Sequence, residues 1–124
     1  MQREVNCMMG ITMPRGDIRP VRFSIRSPDG GENNTVSDFD EIYFTVKQNF
    51  RMKTFLFQKR LTTNEIALQE DGSFKFTIQP QDTDNLMFGT YYFDIEVVKE
   101  EEIKQTFVGN LILTEEATYS ENEG

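Results

Sequence analysis

The 124-residue chain has no histidine, no tryptophan and a single cysteine. Each absence excludes a class of chemistry. Without histidine, neither a Ser-His nor a Cys-His nucleophile can be built, and most transition-metal sites lose their commonest ligand. Cys7 alone can neither close an intramolecular disulfide nor form a cysteine-based zinc site. No apolar run approaches the ~20 residues of a membrane-spanning helix. The opening Met1-Gln-Arg-Glu-Val-Asn has no apolar h-region, so no secretory signal is expected. Positive charge is also short: 13 Lys and Arg face 21 Asp and Glu, for a net charge of −8. That field repels nucleic-acid phosphates. The local exception is Arg51, Lys53, Lys59 and Arg60, which flank an aromatic run and read as a solvated face.

What is present points to one domain with a single core. Eleven phenylalanines and 37% hydrophobic residues provide many medium-sized apolar groups in a chain long enough for one core but not two. The strongest local signal is Phe88 to Val98. β-Branched and aromatic residues run almost unbroken there, and Gly89 follows the turn-rich Pro80 to Asn85. Counted by two, Tyr91, Phe93, Ile95 and Val97 share an apolar face, and Tyr92, Asp94, Glu96 and Val98 share the other. This is the pattern of a half-buried central strand.

The rest of the chain repeats that period in shorter pieces. An edge strand is expected from Cys7 to Met13, closed by a turn at Pro14-Arg15-Gly16-Asp17. Val21, Phe23 and Ile25 alternate with Arg22, Ser24 and Arg26. Ser27 to Asp38, with Pro28-Asp29-Gly30-Gly31, is a loop. Strands follow at Phe39–Gln48 and Lys53–Arg60, joined by a hairpin connection or bulge at Asn49 to Met52; Phe55 and Phe57 share a face in the second. Leu61 to Gln69 reads as a weak strand, although Thr62-Thr63-Asn64 equally suits a capped helical turn. Asp71-Gly72 is a hairpin signal before Phe74, Phe76 and Ile78. Pro80 to Leu86 reads as one helical turn. Beyond the central strand, a turn at Lys99 to Glu102 leads to Ile103–Val108, and Gly109-Asn110 separates that strand from the last, Leu111–Thr114. The acidic tail is expected to be disordered. Seven to nine short strands with turns every ~8–12 residues indicate an all-β antiparallel sandwich or small barrel.

Ile78-Gln-Pro-Gln-Asp82-Thr83-Asp84-Asn85-Leu86, followed by Gly89-Thr90-Tyr91-Tyr92-Phe93-Asp94-Ile95, resembles a motif of small phage and prophage proteins encoded among tail and baseplate genes. It is similar, too, to the N-terminal domain of upper baseplate proteins from phages of Gram-positive bacteria. Ile11-Thr12, Arg15-Gly16-Asp17, Phe44-Thr45-Val46-Lys47, Thr106, Gly109, Leu111 and Thr114 to Thr118 fall in the same order. Lys99 to Glu102 departs from the usual glycine turn, and Glu116-Ala117-Thr118 stands where the family closes on Asp-Val-Thr. The resemblance implies an immunoglobulin-like sandwich over 11–118, an N-terminal arm or edge strand over 1–10 and a tail over 119–124. It implies a non-enzymatic virion structural protein, made in the host bacterial cytoplasm and then carried in the virion. Other tail or baseplate proteins, or further copies of the chain, would be its partners, with no nucleic acid and no membrane. Physically, Asp82-Thr83 would cap a helical turn beneath the sandwich, and one of Tyr91 and Tyr92 would reach back to it as a tyrosine corner does.

Candidate sites each have a plainer reading. Arg15-Gly16-Asp17 matches an integrin-binding tripeptide but reads as a polar turn. Asn33-Asn34-Thr35 is a glycosylation sequon without a secretory route. Asp82 with Asp84, or Asp94 with Glu96, would be carboxylate pairs for acid–base work, but the second pair suits a solvated sheet face. Asp29 to Asn34 and Asp82 to Asn85 are oxygen-rich enough for calcium, yet neither has EF-hand spacing. No catalytic, cofactor or metal site is therefore expected. The surfaces favoured for contact are sheet edges, the Ser27–Asp38 loop, and the exposed aromatics beside the Arg51 to Arg60 cations. The alternative, a carbohydrate-binding module for a bacterial surface polymer, would use Tyr43, Phe50 and Tyr92.

Overall fold

In a computed structural model the described residues are 5–6, 10–25 and 40–115, with backbone alone at 5–6 and 104–105. Nine strands and one helical turn follow in order: β1 Val5–Asn6, β2 Ile11–Pro14, β3 Arg19–Phe23, β4 Glu41–Lys47, β5 Phe57–Arg60, β6 Ala67–Leu68, β7 Phe74–Ile78, α1 Pro80–Thr83, β8 Gly89–Lys99 and β9 Glu102–Thr114. They form two sheets, ordered β1-β3-β7-β6 and β2-β9-β8-β4-β5. The chain crosses between the sheets from β1 to β2, β2 to β3, β3 to β4, β5 to β6 and β7 to β8, while β4–β5, β6–β7 and β8–β9 are neighbours within one sheet, the mixture of hairpins and crossovers that closes an immunoglobulin-like sandwich. The chain is an all-β, immunoglobulin-like sandwich. Among the described residues, no helix is long and apolar enough to cross a membrane.

Period-two alternation builds the core directly. Tyr91, Phe93, Ile95 and Val97 of β8 are buried, and so are Ile42, Phe44 and Val46 of β4. From the facing sheet come Val21 and Phe23 of β3 and Phe74, Phe76 and Ile78 of β7. Five phenylalanine rings meet across the gap: Phe44 lies 4.3 Å from Phe76 and 5.2 Å from Phe93, and Phe23 lies 5.6 Å from Phe74 (centroid to centroid). Such pairs add about 0.5–1.5 kcal/mol each beyond the area they bury.

Several expected boundaries move. Of the edge strand expected over Cys7–Met13, the described part is β2, which runs from Ile11 to Pro14 parallel to β9 at the sheet edge, Cys7 to Met9 lying outside the described residues; β1 is a separate two-residue strand, parallel to β3 in the other sheet. Gly10, at φ +122°, precedes β2, and a side chain there would press on the Asn110 carbonyl. Leu61 to Gln69 is a turn ending in the two-residue β6, not a strand.

Gly109-Asn110 does not interrupt the sheet; β9 runs unbroken from Glu102 to Thr114. Gly109 sits opposite Phe93, and a Cβ there would fall 2.5 Å from the Phe93 ring. The glycine makes room for a core ring.

The Lys53–Arg60 strand begins only at Phe57, so Phe55 is exposed while Phe57 is buried. Lys59 points inward on this edge strand, beside Phe44. Its ammonium lies 2.7 Å from the Asp82 carboxylate, with only 9% of the side chain exposed. An inward-facing charge on an edge strand discourages pairing with another sheet.

Beneath the sandwich, Asp82 also accepts the Gln79 N–H at 2.8 Å, closing the first turn of α1. The buried Thr83 takes a different role from the expected cap: its hydroxyl oxygen accepts the Gly16 N–H at 2.8 Å. Tyr91 donates its hydroxyl to the Met87 carbonyl at 2.8 Å, and so provides the tyrosine corner.

Candidate functional site

The most distinctive surface lies at the end of the five-stranded sheet where β4 leaves it and β8 enters. The Gln48–Leu56 loop is closed at its base by the Leu56 N–H donating to Val46 O at 2.7 Å. At its tip the Asn49 side-chain oxygen accepts the Arg51 N–H at 3.0 Å, so this asparagine shapes the turn. Both ends fixed, the loop cannot tuck its apolar residues into the core, which the five rings already fill. Phe50 stays 52% exposed and Phe55 51% exposed, with Met52 and Leu56 also on the surface. The Phe50 ring rests on Tyr92, on the outer face of β8, with centroids 4.5 Å apart.

Beside the loop lies the turn that leads into β8. Met87 is 78% exposed and Phe88 is exposed as well. The Arg15 guanidinium stacks 4.4 Å over the Phe88 ring and donates to Leu86 O at 3.2 Å. Leu56, Met87, Phe88, Tyr91 and Gln48 line an open cleft of about 390 Å³. Exposed phenylalanine, methionine and arginine together are the composition of interface cores rather than of ordinary surface, and contiguous apolar patches of this kind mark contact sites. A larger cleft of about 500 Å³ opens between the β5 edge and β7, but Lys59, Asn64, Glu65, Gln69 and Gln79 make its wall polar. It offers no exposed apolar anchor.

The four cations flanking the aromatic run do not act as one face. Lys59 is committed to Asp82. Arg60 donates through Nε and Nη2 to Glu41 at 3.1 and 3.0 Å, and its guanidinium lies 5.2 Å over the Tyr43 ring. Burial pushes the Glu41 carboxyl up. The Thr62 hydroxyl and amide, the Ile42 amide and Arg60 together outweigh it and hold the group below its usual range. Glu41 is a buried structural carboxylate that no sequence pattern singled out; its place at the first position of β4 is the only hint. Arg51 and Lys53, in contrast, stand exposed on the loop, and among the described residues neither side chain has an ion-pair partner.

The carboxylate pairs separate in the same way. Asp82 faces Lys59 and Gln79 rather than Asp84. Asp94 and Glu96 share the outer face of β8 opposite Thr45 and Tyr43. Burial pushes the Asp94 carboxyl up, and Lys47 pulls against that shift. Among the described residues, no group of three His, Cys, Asp or Glu side chains is placed to hold a metal ion. Arg15-Gly16-Asp17 is a turn bound into the domain: the Arg15 N–H donates to Thr114 O at 3.0 Å, and the Gly16 N–H goes to Thr83. Tyr43 and Tyr92 face the same way, but they stand opposite Glu96 and Lys47 of the paired strands, four residues apart along the sheet, or roughly 13 Å. With Arg60 covering Tyr43, the three aromatics proposed for a sugar platform do not form one. Cys7, Asp29 to Asn34, the Asn33-Asn34-Thr35 sequon and the whole of the Ser27–Asp38 loop lie outside the described residues.

No known protein family matches the chain, and no curated protein matches it. Among solved structures it is similar to the cysteine protease inhibitor EhICP2 from Entamoeba histolytica. That match has 7% identity and a TM-score of 0.45, and covers 91% of this chain and 95% of the other. It is also similar to the natural killer cell receptor NKp44, at 13% identity and a TM-score of 0.45, over 84% of this chain and 95% of that one.

Proposed function

We propose that this chain is a non-enzymatic structural component of a phage or prophage tail or baseplate region, working through protein–protein contact. The observation that carries the contact reading is the Gln48–Leu56 loop with Met87 and Phe88: six apolar side chains held on the surface, of which Leu56, Met87 and Phe88 line an open cleft. Their exposure is unfavourable in an isolated domain, since each buried group of this size gains ~1.5–3 kcal/mol. A covering partner recovers that free energy. The virion setting is supported by the order and spacing in which segments from Ile11-Thr12 to Thr114 resemble those of tail and baseplate proteins.

The test is direct. Particles from a host carrying the gene are purified by density and their proteins identified by mass spectrometry. The chain is expected at a fixed ratio to the other tail proteins, and its absence from intact particles overturns the virion role. A Phe50→Ser, Met87→Ser double variant that folds but fails to enter particles places the contact at this surface.

A further inference from the structure

We infer that the Gln48–Leu56 surface takes an acidic protein segment bearing an apolar anchor. The inference rests on the contact reading above and specifies the partner's chemistry. Charge in this chain is strongly segregated. Between Lys47 and Arg60 stand five cations, Lys47, Arg51, Lys53, Lys59 and Arg60, and no carboxylate, in a chain whose net charge is −8. The structure neutralises part of that group: Lys59 by Asp82 and Arg60 by Glu41. Lys47 lies close enough to Asp94 to act on its carboxyl. Arg51 and Lys53 remain, without an ion-pair partner among the described residues, on the same loop as Phe50, Met52, Phe55 and Leu56.

The geometry of the charge selects among anionic partners. A bilayer or a nucleic-acid duplex is a broad anionic field, and a domain of net charge −8 is repelled over the whole footprint it presents. A short peptide segment is different. Screening limits its interactions to about 8 Å at physiological ionic strength, so it meets the cationic loop and little of the acidic remainder. Its carboxylates pair with Arg51 and Lys53. An aromatic or aliphatic side chain between them enters the cleft of about 390 Å³ among Leu56, Met87 and Phe88.

The probe is a synthetic peptide of four glutamates around one phenylalanine and one leucine. Controls are its glutamine counterpart, phosphatidylglycerol vesicles and single-stranded DNA, each titrated against the full chain and followed by NMR. The acidic peptide is expected to bind saturably, with shifts centred on Phe50, Phe55, Met87 and Phe88, and to weaken at least tenfold at high salt. Arg51→Glu with Lys53→Glu is expected to weaken it at least tenfold. Met87→Ser, at a position 78% exposed, is expected to weaken it while leaving the circular dichroism spectrum unchanged. Equal binding of the glutamine counterpart, unchanged binding to the charge-reversed loop, no saturable binding, or binding of vesicles or DNA in place of the peptide each overturns the inference. Particle entry distinguishes it from the contact reading. A charge-reversed chain that still enters particles refutes the acidic partner and leaves the structural role standing; a wild-type chain missing from particles removes that role whatever the peptide does.

Discussion

Gly109→Ala offers the sharpest test of how the core is assembled. Two effects oppose each other. Gly109 has an ordinary strand backbone with no positive φ, so alanine fits the conformation and, by restricting the unfolded chain, would stabilise by about 0.4–1 kcal/mol. Against this, the new Cβ falls 2.5, 2.9 and 3.2 Å from three atoms of the Phe93 ring. Normal contact needs a retreat of about 1 Å, and overpacking of that kind costs about 1–3 kcal/mol. Phe93 has little freedom to retreat: it is 2% exposed and packs against Phe44, which packs against Phe76. Sterics should win, for a net destabilisation of roughly 1–2 kcal/mol, or about 3–8 °C in Tm for a domain of this size. Urea denaturation followed by circular dichroism, for wild type, G109A, F93L and the double variant, measures both the loss and its cause. Phe93→Leu alone leaves a cavity. In the double variant the smaller side chain admits the new methyl, so the losses should fall short of additive by at least about 0.5 kcal/mol. Strict additivity, or a G109A variant as stable as wild type, refutes the close-approach argument.

Other perturbations reach different parts of the frame. Glu41→Gln leaves the Arg60 and Thr62 donors poorly matched and should destabilise by about 1–3 kcal/mol, read by the same denaturation assay. Because the folded-state pKa of Glu41 is lowered, its contribution is present above the unfolded value near 4.5 and is lost as pH falls through the folded value. An acid titration of stability should show that loss in wild type and a reduced one in the variant. Asp94 has the opposite sign: its pKa is raised, so ionising it costs stability as pH rises through the folded value. Asp94→Asn should leave Tm at pH 7 unchanged or higher, and a lower Tm would contradict the burial argument. Tyr91→Phe removes the hydroxyl that holds Met87 O and should cost about 0.5–1.5 kcal/mol, with faster amide exchange at Met87 and Phe88 as the local readout.

Much of the candidate site was legible as composition but not as geometry. The cations at Arg51, Lys53, Lys59 and Arg60 and the aromatics beside them mark the region in one dimension. Which cations remain available depends on Asp82 and Glu41, distant in sequence and adjacent only once the sheets pack. Phe88, read as the first residue of the central strand, and Met87, which no sequence signal marked, join the loop because β4 and β8 pair antiparallel, so that β8 begins where β4 ends.

For the fold, alternation decides which apolar side chains of β3, β4, β7 and β8 enter the core, because a pleated strand sends neighbouring side chains to opposite faces. The Asp71-Gly72 turn and the helical turn at Pro80 are equally local, since backbone preference suffices there. Tertiary structure decides what local chemistry leaves degenerate. A glycine in an apolar strand signals a turn or a close approach, and only the position of the Phe93 ring makes Gly109 the latter. A lysine near the end of a strand belongs to either face, and only the Asp82 carboxylate beneath the sandwich draws Lys59 inward. Phe55 and Phe57 share a face on paper, yet the ladder begins at Phe57. The last is therefore core and the first is surface, which is where the proposed contact site begins.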